Sequence, residues 1–317
     1  MGLTPLSEWS GQIGELVIGA TRTDGGTRSH AVTIGGERDL PYIGIPPSGH
    51  IPRVAYELTD DPSLWQSAAI RTIGDRAHDP SDWAAFAEKE LQPDLIRLYL
   101  SSTRRRGFSD LSQIGKTVEA VLQATKLPLI IEGSNDPALD SSVFRKIGEA
   151  AEGERVLLGT AESGRYRSAA AAAMAYGHSL IAQSPIDINL AKQLNILLRE
   201  TGLPHDRIAI DPYTGALGYG FEYSYSVMER IRYSALKGDT DLAMPLISSA
   251  ADSLTVKEVR EAEGGDADQA AVAWEMYSML PATLAGASIV CVRHPLSIAG
   301  LKSAIASLWN GQKSVGV

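Results

Sequence analysis

Residues Ser179 to Asp211 read SLIAQSPIDINLAKQLNILLRETGLPHDRIAID. A short apolar run, Ser179–Ala182, leads into Ser184-Pro185-Ile186-Asp187. Serine, then proline at the first helical position and an acid at the third, is a helix start. Ile186, Leu190, Leu194, Leu197 and Leu198 form one apolar stripe, and Gly202 with Pro204 stops the helix. A second apolar run follows at Ile208–Asp211. Neither run alternates apolar with polar residues, so each suits a strand covered on both faces. The same unit recurs on either side, with strand runs at Val54–Leu58, Leu95–Leu100, Leu129–Ile131, Val156–Gly159, Pro245–Ser248 and Ser288–Val292. Helical stretches intervene: one from Asp110, one through Ala169–Ala173 to Gly177, Tyr219–Lys237 closed by Gly238, and Asp268–Gly286 with a kink at Pro281. Eight strand–helix units between Arg53 and Trp309 predict an α/β fold, a (β/α)8 TIM barrel.

Ahead of the barrel, Glu15–Arg22 and Arg28–Ile34 read as two strands joined around Asp24-Gly25-Gly26, a hairpin signal. Gly35-Gly36 ends the hairpin, and Pro41, Pro46, Pro47 and Pro52 mark an irregular passage. The expected organisation is an N-terminal hairpin extension over 1–52 and a barrel over 53–317. The hairpin either caps the lower end of the barrel or docks a partner. Its need for an apolar face predicts that it touches the partner.

The net charge is −9 over 317 residues, and no Lys/Arg run exceeds Arg104–Arg106. That argues against nucleic acid, which needs a basic stripe for its phosphates. No apolar stretch reaches the roughly 20 residues of a membrane span. Met1–Gly11 lacks a signal-peptide apolar core, so the expected location is the cytoplasm. The single cysteine, Cys291, lies inside the last strand between Val290 and Val292, as a small buried apolar residue would. One cysteine excludes a four-cysteine iron–sulfur cluster or a four-cysteine zinc site on this chain.

Barrel chemistry sits at the strand ends. In chain order these carry Glu57 and Asp60; Ser101 and Ser102; Glu132 and Asn135; Thr160 and Glu162; Ser184, Asp187 and Asn189; Asp211, Thr214 and Gly215; Ser248 and Ser249; and Arg293 and His294. No lysine is among them, which argues against Schiff-base chemistry. His294 is the one rim histidine, which argues against a multi-histidine zinc hydrolase. Glu57, Glu132, Glu162 and Asp211 leave open a hard-metal site and a metal-dependent lyase. The turns after strands seven and eight, where barrels often bind phosphate, are poor in glycine. Glycines instead follow strand six, in Asp211–Gly220. There Gly215 and Gly218 would let a large ligand approach backbone N–H groups, or simply allow a tight turn. Phe221, Tyr225 and Met228 fit a helix face packed on the barrel. Tyr213 and Tyr219 fall on the loop side, toward a flat ligand or a partner.

Three segments carry a resemblance: Ser184–Asn195; Asp211–Gly220 with Glu222–Arg232; and Arg293-His294-Pro295. Gly25–His30 agrees with them. Together they resemble the small subunit of the corrinoid iron–sulfur protein, the delta subunit of the acetyl-CoA decarbonylase/synthase complex. The resemblance spans nearly the whole chain. It implies a barrel paired with a large corrinoid iron–sulfur subunit that holds the cluster and a cobalamin-binding domain. It implies a corrinoid at the interface over the barrel mouth. The methyl group would come from a methyl-pterin, through a methyl-pterin corrinoid methyltransferase, and pass toward acetyl-CoA synthase in the Wood–Ljungdahl pathway. Ser184, Asp187, Asn189, Asp211, Thr214, Gly215, Gly218, Tyr219, Arg293 and His294 are the expected cofactor-binding residues, with no catalytic residue of the chain's own. Helix capping is the competing role for Ser184 and Asp187. The chain carries no Asp-x-His-x-x-Gly signature, so it would give cobalt no histidine through that motif. A stand-alone pterin-binding methyltransferase, with Asp187, Asn189 and Asp211 on the pterin, is the alternative.

Overall fold

A computed structural model describes residues 9–42, 47–103, 111–134 and 136–314. Pro46, Arg104–Arg106, Asp110 and Asn135 lie outside them. Two antiparallel strands, β1 (Glu15–Ile18) and β2 (Val32–Gly35), precede eight parallel ones. These are β3 (Arg53–Thr59), β4 (Leu95–Tyr99), β5 (Leu129–Glu132), β6 (Leu157–Ala161), β7 (Ser179–Gln183), β8 (Ile208–Asp211), β9 (Leu246–Ser249) and β10 (Ala287–Val292). They close in sequence order, β10 pairing with β3. The principal helices between them are α1 (Ser67–Arg71), α2 (Pro80–Phe86), α3 (Leu111–Ala124), α4 (Pro137–Ala150), α5 (Tyr166–Tyr176), α6 (Ile188–Glu200), α7 (Phe221–Leu236), α8 (Lys257–Arg260), α9 (Gly264–Leu284) and α10 (Pro295–Ser314). The eight apolar runs are the eight barrel strands, so the expected TIM barrel is the observed one.

Side chains alternate along each strand. Outward ones such as Val54, Tyr56, Leu58, Ile96 and Leu98 meet the helices in the main core. The lowest inward ones, including Ala55, Leu95, Ile130, Leu157, Ile181, Ile247 and Ile289, form a separate apolar cluster inside the barrel. Leu16, Ile18, Val32 and Ile34 of the hairpin complete that cluster, and all four are buried. The hairpin is therefore a plug in the barrel floor. The apolar face it needs belongs to its own chain, which removes the ground for expecting it to dock a partner.

The hairpin strands are shorter than the sequence pattern predicts. At Gly19 (φ +92°) the chain turns out of the ladder, and its N–H goes to Arg155 O at 2.8 Å. Beyond it, Arg28 is buried and fastens the hairpin to the barrel floor. Its Nε pairs with Glu154 at 2.8 Å, and its Nη1 and Nη2 donate to Thr125 O and Leu122 O at 2.7 Å each.

Candidate binding site at the barrel mouth

Two residues further along each strand, the inward positions change character. Above the apolar floor stand Glu57, Arg97, Glu132, Gln183, Asp211 and Ser249, with Arg293 just past β10. Arg97 lies between two carboxylates. It bonds Glu57 Oε1 through Nη1, and its Nε donates to Glu132 Oε1 at 2.8 Å. Arg293 Nε reaches the other Glu57 oxygen at 2.7 Å, and Ser249 Oγ donates to Glu57 Oε1 at 2.6 Å. The Arg293 guanidinium stacks 4.2 Å from the Trp65 ring. Burial would raise the Glu57 carboxyl, but the two arginines and Ser249 outweigh it and hold it at about 2. Glu132 has only Arg97, so burial wins and its pKa rises. Burial raises Asp211 as well.

This layer changes the reading of the acidic rim. A metal ion between Glu57 and Glu132 would have to displace a guanidinium already bonded to both. Glu162 stands apart from this layer, on the wall of the neighbouring cleft, paired with Arg165 at 3.2 Å and half exposed. Arg97 was missed in the sequence because it stands mid-strand, within an otherwise apolar run. Its signal was a lone charge at an inward position two residues before the strand end.

Beside this layer, over the ends of β6, β7 and β8, opens a cleft of about 860 Å3. Glu162, Ser163, Gln183, Ser184 and Asp187 line it with polar groups, Ile186, Leu190 and Leu194 with apolar ones, and Tyr213 with an aromatic ring. Ser184 is not the helix cap. Asp187 is, accepting from the N–H groups of Asn189 (2.7 Å) and Leu190 (3.1 Å). The helix starts three residues later than its proline indicates, and its buried stripe is Ile188, Ala191, Leu194, Asn195 and Leu198. Leu190 is thereby 42% exposed at the cleft. Ser184 Oγ is left buried with no hydrogen-bond partner.

The other expected site residues are divided. Asp211 lies beneath the cleft, accepting from Gln183 Nε2 (2.9 Å) and Tyr213 N (2.8 Å). Arg293 belongs to the charged layer. Thr214 Oγ1 shares a hydrogen with Ser248 Oγ at 2.8 Å, and Gly215 N donates to Ser224 Oγ at 3.0 Å, so both serve the loop itself. Gly218 (φ +73°) makes that loop's turn, and Tyr219 projects outside it, 64% exposed. Asn189 is exposed on the first turn of α6. His294 faces away from the mouth: its Nε2 meets Asp268 at 3.1 Å behind the barrel wall. Alternation requires this, since Arg293 before it points inward.

The turn after the last strand is closed to phosphate by the protein itself. Glu275 of α9, fully buried, accepts from Arg293 N at 2.7 Å and His294 N at 3.2 Å. A carboxylate thus takes the N–H groups that a phosphate takes in many barrels. Burial raises the Glu275 carboxyl to about 7 against these hydrogen bonds.

Fold and mouth together define a class: a TIM barrel with a polar, part-aromatic cleft beside a self-neutralised interior. Residues 15–282 match the family described as CO dehydrogenase/acetyl-CoA synthase delta subunit, and the chain belongs to that family. It is 37% identical to acetyl-CoA decarbonylase/synthase complex subunit delta of Archaeoglobus fulgidus, across 98% of this chain and 71% of that one. It is 35% identical to the subunit of that name from Methanopyrus kandleri, across 95% of this chain and 76% of that one. The resemblance read from Ser184–Asn195 and Asp211–Arg232 is thus the right one. As a member of a family of complex subunits, the chain works beside partner subunits. Among solved structures, a dihydropteroate synthase from Coxiella burnetii in complex with pteroic acid superposes with a TM-score of 0.57. The identity is 14%, over 94% of this chain and 99% of that one. Xanthomonas albilineans dihydropteroate synthase with 4-aminobenzoic acid gives 0.55 at 18%, over 82% and 93%. At these identities the likeness shows the barrel alone. Among the described residues no helix is long and apolar enough to cross a membrane.

Proposed function

We propose that this chain is the barrel subunit of a corrinoid iron–sulfur methyl carrier. It would cap a cobamide held at the interface with a large cluster-bearing subunit. Methyl groups would enter from a methyl-pterin, through its corrinoid methyltransferase, and leave toward acetyl-CoA synthase. Family membership supports the assembly. The observation that carries the cofactor reading is the mouth's chemistry: a cleft with a buried unpartnered serine hydroxyl, a glutamine amide and an aromatic wall, whose own carboxylates are engaged by Arg165 (Glu162) and by a helix cap (Asp187), beside a layer where arginines pair Glu57 and Glu132. A corrinoid presents neutral carboxamide arms, which suit hydroxyl and amide groups better than free charges. It supplies the cobalt centre that carries the methyl group. This chain's share is to bind the ring edge and exclude water from it. His294 is tied to Asp268 and Cys291 is buried in the barrel floor, so neither offers cobalt a ligand. The cluster would belong to the partner, since Cys291 is the only cysteine.

Anaerobic purification of the tagged full chain from its host, followed by a visible spectrum, tests the reading. A heterodimer with corrinoid and iron–sulfur absorption is expected. A colourless single chain that binds 5-methyltetrahydrofolate on its own would replace the proposal with a stand-alone pterin-binding methyltransferase.

A further inference from the structure

Arg293 is held at three points. Its N–H donates to Glu275 Oε1 at 2.7 Å, its Nε donates to Glu57 Oε2 at 2.7 Å, and its guanidinium lies 4.2 Å from the Trp65 ring. Trp65 packs in turn edge-on against Trp83, with ring centroids 5.7 Å apart. The two terminal nitrogens, Nη1 and Nη2, meet no acceptor among the described residues, and neither is closed off from solvent. The side chain is 14% exposed. Arg97, the other arginine of the layer, differs: its Nε, Nη1 and Nη2 are all directed at Glu132 or Glu57. Glu57, held ionised, answers both guanidinium groups, while burial pushes Glu132 and Asp211 toward their neutral forms. The layer therefore has room for a further negative charge beside Arg293.

We infer that the Nη1/Nη2 end of Arg293 is an anion anchor in the barrel mouth, taking the carboxylate or phosphate of a ligand. Two neighbouring N–H donors on a planar fork match the paired oxygens of either group. Stacking on Trp65 covers one face of the guanidinium and leaves this end free. The fork is fixed before any ligand arrives, so little side-chain freedom is lost on binding. Glu275 already takes the backbone N–H groups of this turn, so the side chain and not the turn receives the anion. The shared chemistry has two sources, the nucleotide-loop phosphate of a cobamide or the glutamate-tail carboxylate of a methyl-pterin. The first rests on the proposed function and the second on its stand-alone alternative; the anchor itself rests on neither.

The test uses the full chain, alone and in its purified complex, with binding read by calorimetry. Two probe pairs each differ in the anion: cobalamin against dicyanocobinamide, which lacks the phosphate, and 5-methyltetrahydrofolate against its tail diamide. In the wild type the anion-bearing member of one pair is expected to bind about tenfold to a hundredfold more tightly, the effect of a hydrogen bond to a charged group. Arg293→Met should remove that margin and leave the affinity of the anion-free member unchanged. Arg293→Lys should keep part of it, because an ammonium is a point charge without the fork. Inorganic phosphate should displace the anion-bearing member and not its counterpart, a measurement on the unaltered chain that holds even where a variant fails to fold. Equal affinities within both pairs, or a margin that survives Arg293→Met, overturn the anchor. An equal loss for both members of a pair marks a structural role and overturns it too. In each of these cases a complex that still carries its corrinoid leaves the proposed function standing. A margin confined to the folate pair, on the chain alone, keeps the anchor and overturns the corrinoid source.

Discussion

Arg97→Met puts the charged layer at issue. The side chain is 7% exposed and bonds Glu57 and Glu132, themselves 2% and 3% exposed. Methionine keeps the length but leaves Glu132 without a counter-charge and Glu57 with Arg293 alone. Removing one partner of a buried ion pair costs about 3–5 kcal/mol. For a chain of this size that is a melting-point loss of about 5–8 °C at neutral pH. In the wild type Glu57 is depressed to about 2, so its contribution is complete above the unfolded value of 4.5 and is lost only as the pH falls from there toward 2. Glu132 is raised, so its contribution is present below 4.5 and is lost as the pH rises through its folded value. In the variant both carboxyls lose the pull of Arg97 and both rise. The folded state then takes up protons as the pH falls, and the gap between variant and wild type narrows from pH 8 to pH 5. Thermal melts followed by circular dichroism at the two pH values measure this. A loss below about 1 kcal/mol, or a gap that stays constant with pH, would refute the claim that Arg97 pulls both carboxyls toward their ionised form.

Glu275→Gln should equal the wild type near pH 4.5 and exceed it at pH 8. The wild-type carboxyl, raised to about 7, loses its contribution as the pH climbs through that value, while the amide still accepts from the same N–H groups. The gain is on the order of 3 kcal/mol, and a pH-independent difference in urea titrations would contradict it. Ile34→Ala in the plug should cost about 2–5 kcal/mol in chemical denaturation. Deleting residues 1–36 should abolish the fixed near-ultraviolet dichroism of the barrel, because it uncovers the apolar floor; a truncated chain with a native spectrum would show that the plug is dispensable. Asp187→Ala should cost about 1 kcal/mol through the lost cap of α6, read as a lower melting point.

The barrel was legible residue by residue, because a strand buried on both faces must be a continuous apolar run and each helix between must carry its own stop. The family was legible too, through Ser184–Asn195 and Asp211–Arg232. The plug was half legible: Asp24-Gly25-Gly26 marks the hairpin, but nothing in its alternation says which apolar surface receives it. The site was least legible. Proline at 185 points to a helix start there, yet the Asp187 carboxylate captures the next two N–H groups and moves the start to Ile188, which frees Ser184 and turns Leu190 outward. Arg97, Glu57 and Glu132 come from three separate strands, and His294 and Arg293 part company across the barrel wall. Local periodicity determines which residues form a strand or helix, since that depends on neighbours a few positions away. Which charges meet, which hydroxyl stays unpaired and which apolar face finds a floor depend on closure of the barrel, which joins residues far apart in the chain.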